Sequence, residues 1–68
     1  MNVKYFTDTD TALIEFSTHP VQETREVSAD VYVDLDASGN LVNMTIEHAQ
    51  LNANLPTVVV EEVETGAA

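Results

Sequence analysis

The strongest constraint on this chain is a strict two-residue alternation of apolar and polar side chains. The clearest run lies in residues 23–36, where the apolar positions are Val27, Ala29, Val31, Val33 and Leu35. A period of two puts alternate side chains on opposite faces of an extended strand, whereas a helix needs a period near 3.6. The run therefore predicts half-buried antiparallel strand, and the "SAD" sequence within it leaves open one bent strand or two.

Two earlier segments carry the same alternation on either side of a turn. Residues 2–6 and 12–16 flank "TDTDT", whose aspartates favour turns by bonding nearby backbone N–H groups. We expect a hairpin in which the even-numbered side chains of the second segment face inward and Leu13 faces outward. Pro20 then interrupts the ladder because it donates no backbone hydrogen bond.

The alternation resumes after "ASGN" and then gives way to a helical spacing. Residues 41–47 predict the last core strand, with Val42, Met44 and Ile46 on one side. In "HAQLNANL", alanines and leucines recur four residues apart, as on one face of a helix. A short helix is expected within about residues 47–55, ending before Pro56.

These segments predict one small domain over residues 1–57. Its expected fold class is α+β, mainly β: a small antiparallel sheet of four or five strands, built from hairpins and followed by a short C-terminal helix. Residues 58–68 are an acidic tail, where the three valines favour an edge strand and the glutamates with the Gly-Ala-Ala ending favour fraying. Disorder is expected from about residue 64.

The stretch "DLDASGN" partly matches a calcium-binding loop. Its first, third, fifth and sixth positions are Asp34, Asp36, Ser38 and Gly39. The twelfth position, which should be a bidentate glutamate, is Thr45, and both flanks alternate like strands instead of helices. The stretch therefore predicts a hairpin turn, and we expect no metal and no cofactor.

Charge restricts the partners. Twelve acidic residues face only Lys4 and Arg25, giving a formal charge of -10. Such a field repels the phosphate groups of nucleic acids and anionic membranes but attracts basic proteins. The longest apolar run, Val58–Val60, is far too short to span a bilayer, and the absence of cysteine suits a reducing compartment. We expect a soluble, untargeted protein of the cytoplasm.

Catalytic signatures are weak throughout. Ser17, Ser28 and Ser38 lack the context of a nucleophile elbow, and His19 and His48 lack the partners of a zinc site, so both are expected to be surface residues. We therefore expect a protein that is not an enzyme. The alternative is a small enzyme or ligand-binding protein.

That alternative would use carboxylates near Tyr32, namely Asp34 and Asp36. Both aspartates are expected on one outward strand face, where solvent gives no cause for the raised pKa of a catalytic acid. A solvated acidic face is the simpler interpretation.

The succession "YFTDTDTALIEF", "VQETREV" and "VYVDLDASGNLVNMTIEHA" resembles a small bacterial family, domain of unknown function 2283, over residues 3 to 53. The residues that carry the resemblance are Tyr5, Asp8, Asp10, Ala12, Leu13, Ile14, Glu23, Glu26, Val27, Val31, Asp34, Asp36, Gly39, Val42, Ile46 and Ala49. The chain departs from the family at Asn43 and Thr45, where Gly and then Glu are frequent. The resemblance implies a compact β-rich fold with a short C-terminal helix, and it brings no activity, catalytic residue or cofactor.

A protein–protein interaction module is the function that these observations favour. A chain of 68 residues buries only about 60% of the surface that its unfolded form exposes, so a homodimer is expected, and a basic protein is the other candidate partner. The expected interaction surface contains Asp34, Asp36, Glu47, Leu13 and Leu41.

Overall fold

The structure is a computed structural model that describes residues 1–66. Its elements are β1 (Asn2–Phe6), β2 (Thr11–Glu15), β3 (Glu23–Ser28), β4 (Val31–Leu35), β5 (Leu41–Glu47) and α1 (Ala49–Ala53). The strands form one antiparallel sheet in the order β1-β2-β5-β4-β3. The expected α+β fold, mainly β with a short C-terminal helix, is confirmed.

The sheet has two faces of different chemistry. Directly paired residues project to the same side of an antiparallel sheet, so the register assigns each side chain to a face. The inner face is apolar over the four strands β1, β2, β5 and β4: Val3, Tyr5, Ala12, Ile14, Val31, Val33, Met44 and Ile46. The opposite, outer face is polar. One row of paired residues across it consists of Asn2, Glu15, Asn43, Asp34 and Thr24.

Only one end of the inner face is covered. Ala49 of α1 and Leu55 pack with Ala12 and Ile46, and all four are buried. Five partly buried side chains pack against this cluster: Val3, Tyr5, Ile14, Val31 and Met44. We call this region the covered end. It contains most of the buried apolar residues, and none of the large side chains in residues 1–66 is fully buried.

Two hairpin turns hold α1 at the covered end. In the β1–β2 turn, the Asp10 carbonyl accepts the Ala49 N–H at 2.9 Å and its Oδ1 accepts the Gln50 N–H at 3.1 Å. Asp10 thus supplies the N-terminal cap that α1 lacks, because His48, the residue before the helix, makes no side-chain cap. Tyr5 Oη donates to the same Asp10 oxygen at 2.6 Å.

The β3–β4 turn makes the second attachment through Asp30. Its carbonyl accepts the Glu47 N–H at 2.7 Å, and its carboxylate lies 3.1 Å from His48 Nδ1 and 3.0 Å from Asn52 Nδ2. The hydrogen bonds from Asn52 and then His48 hold the pKa of Asp30 below its ordinary value. A five-residue helix, too short to be stable alone, is therefore fixed by contacts distant in sequence.

Three expectations from the sequence are resolved or changed. Residues 23–36 form two strands, because a turn at Ala29 and Asp30 divides them and a register irregularity precedes it. The inward parity expected of this run fails at Val27, which is 63% exposed, and Phe16, expected inside, lies beyond β2 and is 37% exposed. Both lie where the ladder is irregular or has ended.

The C-terminal segment forms no strand within the described residues. Val58, Val59 and Val60 have no regular secondary structure and are all exposed, so the edge strand is not formed in residues 58–66. The disorder expected from about residue 64 falls partly on Ala67 and Ala68, which lie outside the described residues. No helix of residues 1–66 is long and apolar enough to cross a membrane.

Candidate functional site

Within the described residues, the inner face beyond the covered end has no helix over it. We call this part the open end and define it by three residues from strands β4 and β5: Val33, Leu35 and Leu41. Val33 and Leu35 are half-buried and Leu41 is 41% exposed, whereas Val42, beside Leu41 in β5, is only 3% exposed. Adjacent, partly exposed apolar side chains of this kind are a feature of interaction surfaces.

A register irregularity brings Leu41 onto this face. Asp34 pairs with Asn43, but the next residue, Leu35, pairs with Leu41, so β5 carries one extra residue. Such a bulge reverses the parity of the residues beyond it. Leu41 therefore lies on the inner face beside Leu35, whereas uninterrupted alternation had predicted the outward side with Asn43.

Asp36 orders the β4–β5 turn that borders the open end. Its Oδ1 accepts the N–H groups of Ser38 and Asn40, each at 2.9 Å, and Gly39 has a φ of 82°, which glycine adopts without strain. The hairpin turn predicted for "DLDASGN" is present. Asp36 itself is only 9% exposed, which corrects the expected solvated position beside Asp34.

A histidine completes the environment of Asp36. His19 Nδ1 lies 2.9 Å from Asp36 Oδ2, and an ionised carboxylate only accepts, so the ring nitrogen donates. The hydrogen bonds from His19, and then from the Asn40 and Ser38 N–H groups, hold the pKa of Asp36 below its ordinary value. Asp36 thus ties residues 16–22 to the turn.

Two shallow clefts lie at this end of the sheet. One, of about 250 Å³, is lined by His19, Pro20, Gln22, Asp36, Ala37 and Ser38. The other, of about 330 Å³, is lined by Met1, Asn2, Glu15, Phe16, Ser17 and Thr18. Both are near the lower size limit of small-molecule sites, about 300 Å³. Within residues 1–66, no three His, Cys, Asp or Glu side chains are arranged to hold a metal ion.

The outer face carries Asp34, Glu47 and Leu13, three of the residues expected at an interaction surface. Asp34 accepts hydrogen bonds from Thr24 Oγ1 at 2.7 Å and Asn43 Nδ2 at 3.1 Å. Glu47 is exposed and Leu13 is half-buried. Asp34 lies on the outer face and Asp36 in the β4–β5 turn, and the two carboxylates share no hydrogen-bond partner within residues 1–66.

Charge is divided unequally between the faces. The outer face has Glu15, Glu26, Asp34 and Glu47 against Lys4, which is already 3.1 Å from Glu15. Lys4, and then Asn2, hold the pKa of Glu15 below its ordinary value. The outer face is therefore acidic.

On the inner face, the charged side chains of the described strands are Glu23 and Arg25, at the β3 edge. Arg25 Nε and Nη2 donate to the two Glu23 carboxylate oxygens at 2.7 and 3.2 Å. The charges cancel, so the inner face is neutral although the chain carries -10.

The five residues expected at one surface thus occupy three places: the outer face, the β4–β5 turn and, for Leu41, the open end. The sequence predicted Val33, Leu35 and Met44 on a buried face, and of these Met44 does pack against the cluster of the covered end, whereas Val33 and Leu35 lie beyond it. Their alternation correctly gave the face, but only the position of α1 shows that this part of the face is uncovered.

Comparison with known proteins identifies a family and nothing further. A family described as "Protein of unknown function (DUF2283)" matches residues 2–50, which contain all five strands. No curated protein and no solved structure matches the chain.

Proposed function

The chain belongs to the DUF2283 family of proteins of unknown function, and we propose that it is a small protein–protein interaction module working through the open end of its inner face. The observation that carries this proposal is an apolar sheet face that α1 covers at one end only. A helix of five residues is about 7.5 Å long, shorter than the β5 strand it packs beside.

The distribution of polar groups supports an apolar contact surface. The open end contains no charged side chain. On the same face Glu23 and Arg25 satisfy each other, and Asp36 in the bordering turn accepts hydrogen bonds from Ser38, Asn40 and His19. A partner can therefore cover Val33 and Leu41 without removing an unpaired charge from water, which would cost free energy.

The test compares three baits of the full chain in affinity capture from host cells: wild type, Leu41→Glu at the open end and Leu13→Glu on the outer face. Each variant adds one negative charge to a strand. We expect proteins captured by wild type to be retained by Leu13→Glu and lost with Leu41→Glu. Identical sets of captured proteins for all three baits would contradict the proposal.

A second candidate function is the binding of a basic protein to the outer face. The acidic excess of this face favours it, because a surface of one sign speeds encounter with the opposite sign. Such binding should weaken severalfold between about 50 and 300 mM salt.

A charge-matched pair of triple variants tests this second function. One neutralises the outer face with Glu26→Gln, Asp34→Asn and Glu47→Gln. The other removes the same charge elsewhere, with Asp8→Asn, Glu61→Gln and Glu62→Gln. We expect only the first to weaken capture of basic proteins at low salt. Equal weakening would mean that net charge acts without a defined surface.

We propose no catalytic role for Asp34 and Asp36. Asp34 accepts hydrogen bonds from Thr24 and Asn43, whereas Asp36 accepts them from Ser38, Asn40 and His19, so the two carboxylates belong to separate hydrogen-bond networks. A cytoplasmic location remains our proposal from the cysteine-free composition.

A further inference from the structure

Resting on the interaction module proposed above, we infer that the occupant of the open end is a second copy of this chain, packed inner face against inner face about a two-fold axis. Residues Val33, Leu35 and Leu41 form the centre of this contact. In a two-fold interface the same patch serves both copies, so a contact from one residue to another occurs twice.

The chain exposes more surface than a compact monomer of its mass. It exposes 5164 Å², whereas a compact monomer of 7.4 kDa is expected to expose about 4,200 Å². Much of this excess lies in the extended C-terminal segment, where Val58, Val59, Val60 and Val63 are exposed, and Leu41 adds exposed apolar area on the inner face. One partner contributes about 800 Å² to an interface of standard size, which is the area that each inner face would have to supply.

Charge selects the inner face as the place where two identical chains can meet. Each copy carries a net charge of -10, and the outer face is acidic, so contacts between outer faces would bring like charges together. The inner face is neutral because Arg25 pairs with Glu23. At the rim of a two-fold contact, each Arg25 can exchange its partner for Glu23 of the other copy without changing the total charge.

The shape of the molecule leaves room for a second sheet. Helices and sheets each pack about 10 Å above a sheet face. Helix α1 fills this layer over the covered end, where Ala12 and Ile46 are buried beneath it. The second sheet fills the same layer over the open end, with the two copies offset so that each α1 lies beside the other copy's sheet.

The experiment is sedimentation velocity of the full chain from about 1 to 300 µM, with Leu41→Glu and the opposite-face control Leu13→Glu. We expect wild type to sediment at twice the 7.4 kDa chain mass. Leu41→Glu should raise the dissociation constant about tenfold or more, and Leu13→Glu less than about threefold. Circular dichroism checks that each variant keeps its strands.

Val33→Thr is the milder variant if Leu41→Glu fails to fold, because threonine nearly matches the shape of valine and retains strand preference. It should weaken the dimer severalfold. Wild type that stays monomeric at 300 µM overturns the inference, and so does a dimer that neither Leu41→Glu nor Val33→Thr weakens.

An apolar dye separates this failure from failure of the proposed function. If the chain is monomeric and the dye ANS binds wild type more strongly than Leu41→Glu, the second copy is wrong, but the open end remains an available apolar surface. If the chain is monomeric and dye binding is equal in both, the open end is no binding surface and both proposals fall.

Discussion

The two ends of the inner face have the same kind of residue and different surroundings. Both are rows of apolar strand residues, and both border a turn aspartate bonded to a histidine: Asp30 with His48 at the covered end and Asp36 with His19 at the open end. At the covered end, the turn holds a helix that completes a core. At the open end, the turn bonds to its own backbone and to the 16–22 loop.

This difference shows that an apolar face and its cover have separate origins. Register and alternation make the whole face apolar, whereas the cover depends on polar anchors, since Asp10 holds the first two residues of α1 and Asp30 holds Asn52. Among residues 1–66 no helix lies over Val33 or Leu35; the 16–22 loop reaches only the edge of the open end, where the Gln22 N–H donates to the Leu35 carbonyl at 2.8 Å. An apolar face left in this state is available to another chain.

The largest expected effect compares two residues of one strand and one face. Ile46→Ala removes a buried side chain from the covered end and should lower the free energy of unfolding by about 2–4 kcal/mol. Met44 is half-buried and lies nearer the open end, so Met44→Ala should lower the free energy of unfolding by about half as much at low protein concentration. Urea denaturation measures both.

Equal costs for these two substitutions would remove the distinction between the ends. If a second copy binds the open end, the distinction should become dependent on protein concentration. Met44→Ala should then lower the free energy of unfolding by more as the protein concentration rises and the contact forms.

A smaller effect is expected from breaking the anchor of α1. Asp10→Ala removes the bond to the Gln50 N–H and should lower stability by about 1 kcal/mol, as loss of a helix cap does. The hydrogen bond to Asp10 raises the pKa of Tyr5, so the variant should also return this pKa towards its ordinary value. Absorbance titration in a Tyr32→Phe background measures it.

Asp10→Asn is the matched control, because asparagine also tolerates the positive φ of 51° at this position and keeps an acceptor oxygen. It should retain most of the stability. If Asp10→Ala left the protection of the α1 amides from hydrogen exchange unchanged, the Asp10 carboxylate would not be needed to hold the helix.

The pH dependence at the open end should be smaller still. Because its folded pKa is lowered, Asp36 stabilises the fold fully above the ordinary aspartate range, near pH 4, and this contribution is lost as pH falls through the lower folded pKa. The stability difference between wild type and Asp36→Asn should be constant from about pH 5 to 8 and decrease in stronger acid.

Asp30→Asn should follow the same course at the covered end, since the pKa of Asp30 is also lowered. Denaturant midpoints measured at several pH values test both variants. A stability difference that grew on acidification would show that the sign of the linkage is wrong.

The smallest expected effect is that of calcium. The oxygens of Asp36 already accept from Ser38, Asn40 and His19, and those of Asp34 from Thr24 and Asn43, so the turn has no group of free carboxylate oxygens. Calorimetric titration should show no saturable micromolar transition. Such a transition, abolished by Asp36→Asn, would make the turn a metal site.

Much of the fold could be predicted because it depends on local pattern. Alternation predicted the strands, the outward position of Leu13 and the face on which Met44 and Ile46 lie. Glycine and aspartate predicted the β4–β5 turn. The fold class and the helix near residues 47–55 are confirmed. The errors occurred at Val27, Phe16 and Leu41, where the ladder ends or carries an extra residue, which alternation alone does not reveal.

The sequence by itself determined which residues are apolar, that they alternate with polar ones, and that the chain is strongly acidic, because these are properties of side chains and of their spacing. Only the tertiary structure decided which part of the apolar face is covered. That outcome depends on where Asp10 and Asp30, 40 and 22 residues from their partners Gln50 and Asn52, place a five-residue helix. Each of these contacts brings together segments that are far apart in the sequence and closes a long loop, so no pattern of neighbouring residues specifies it.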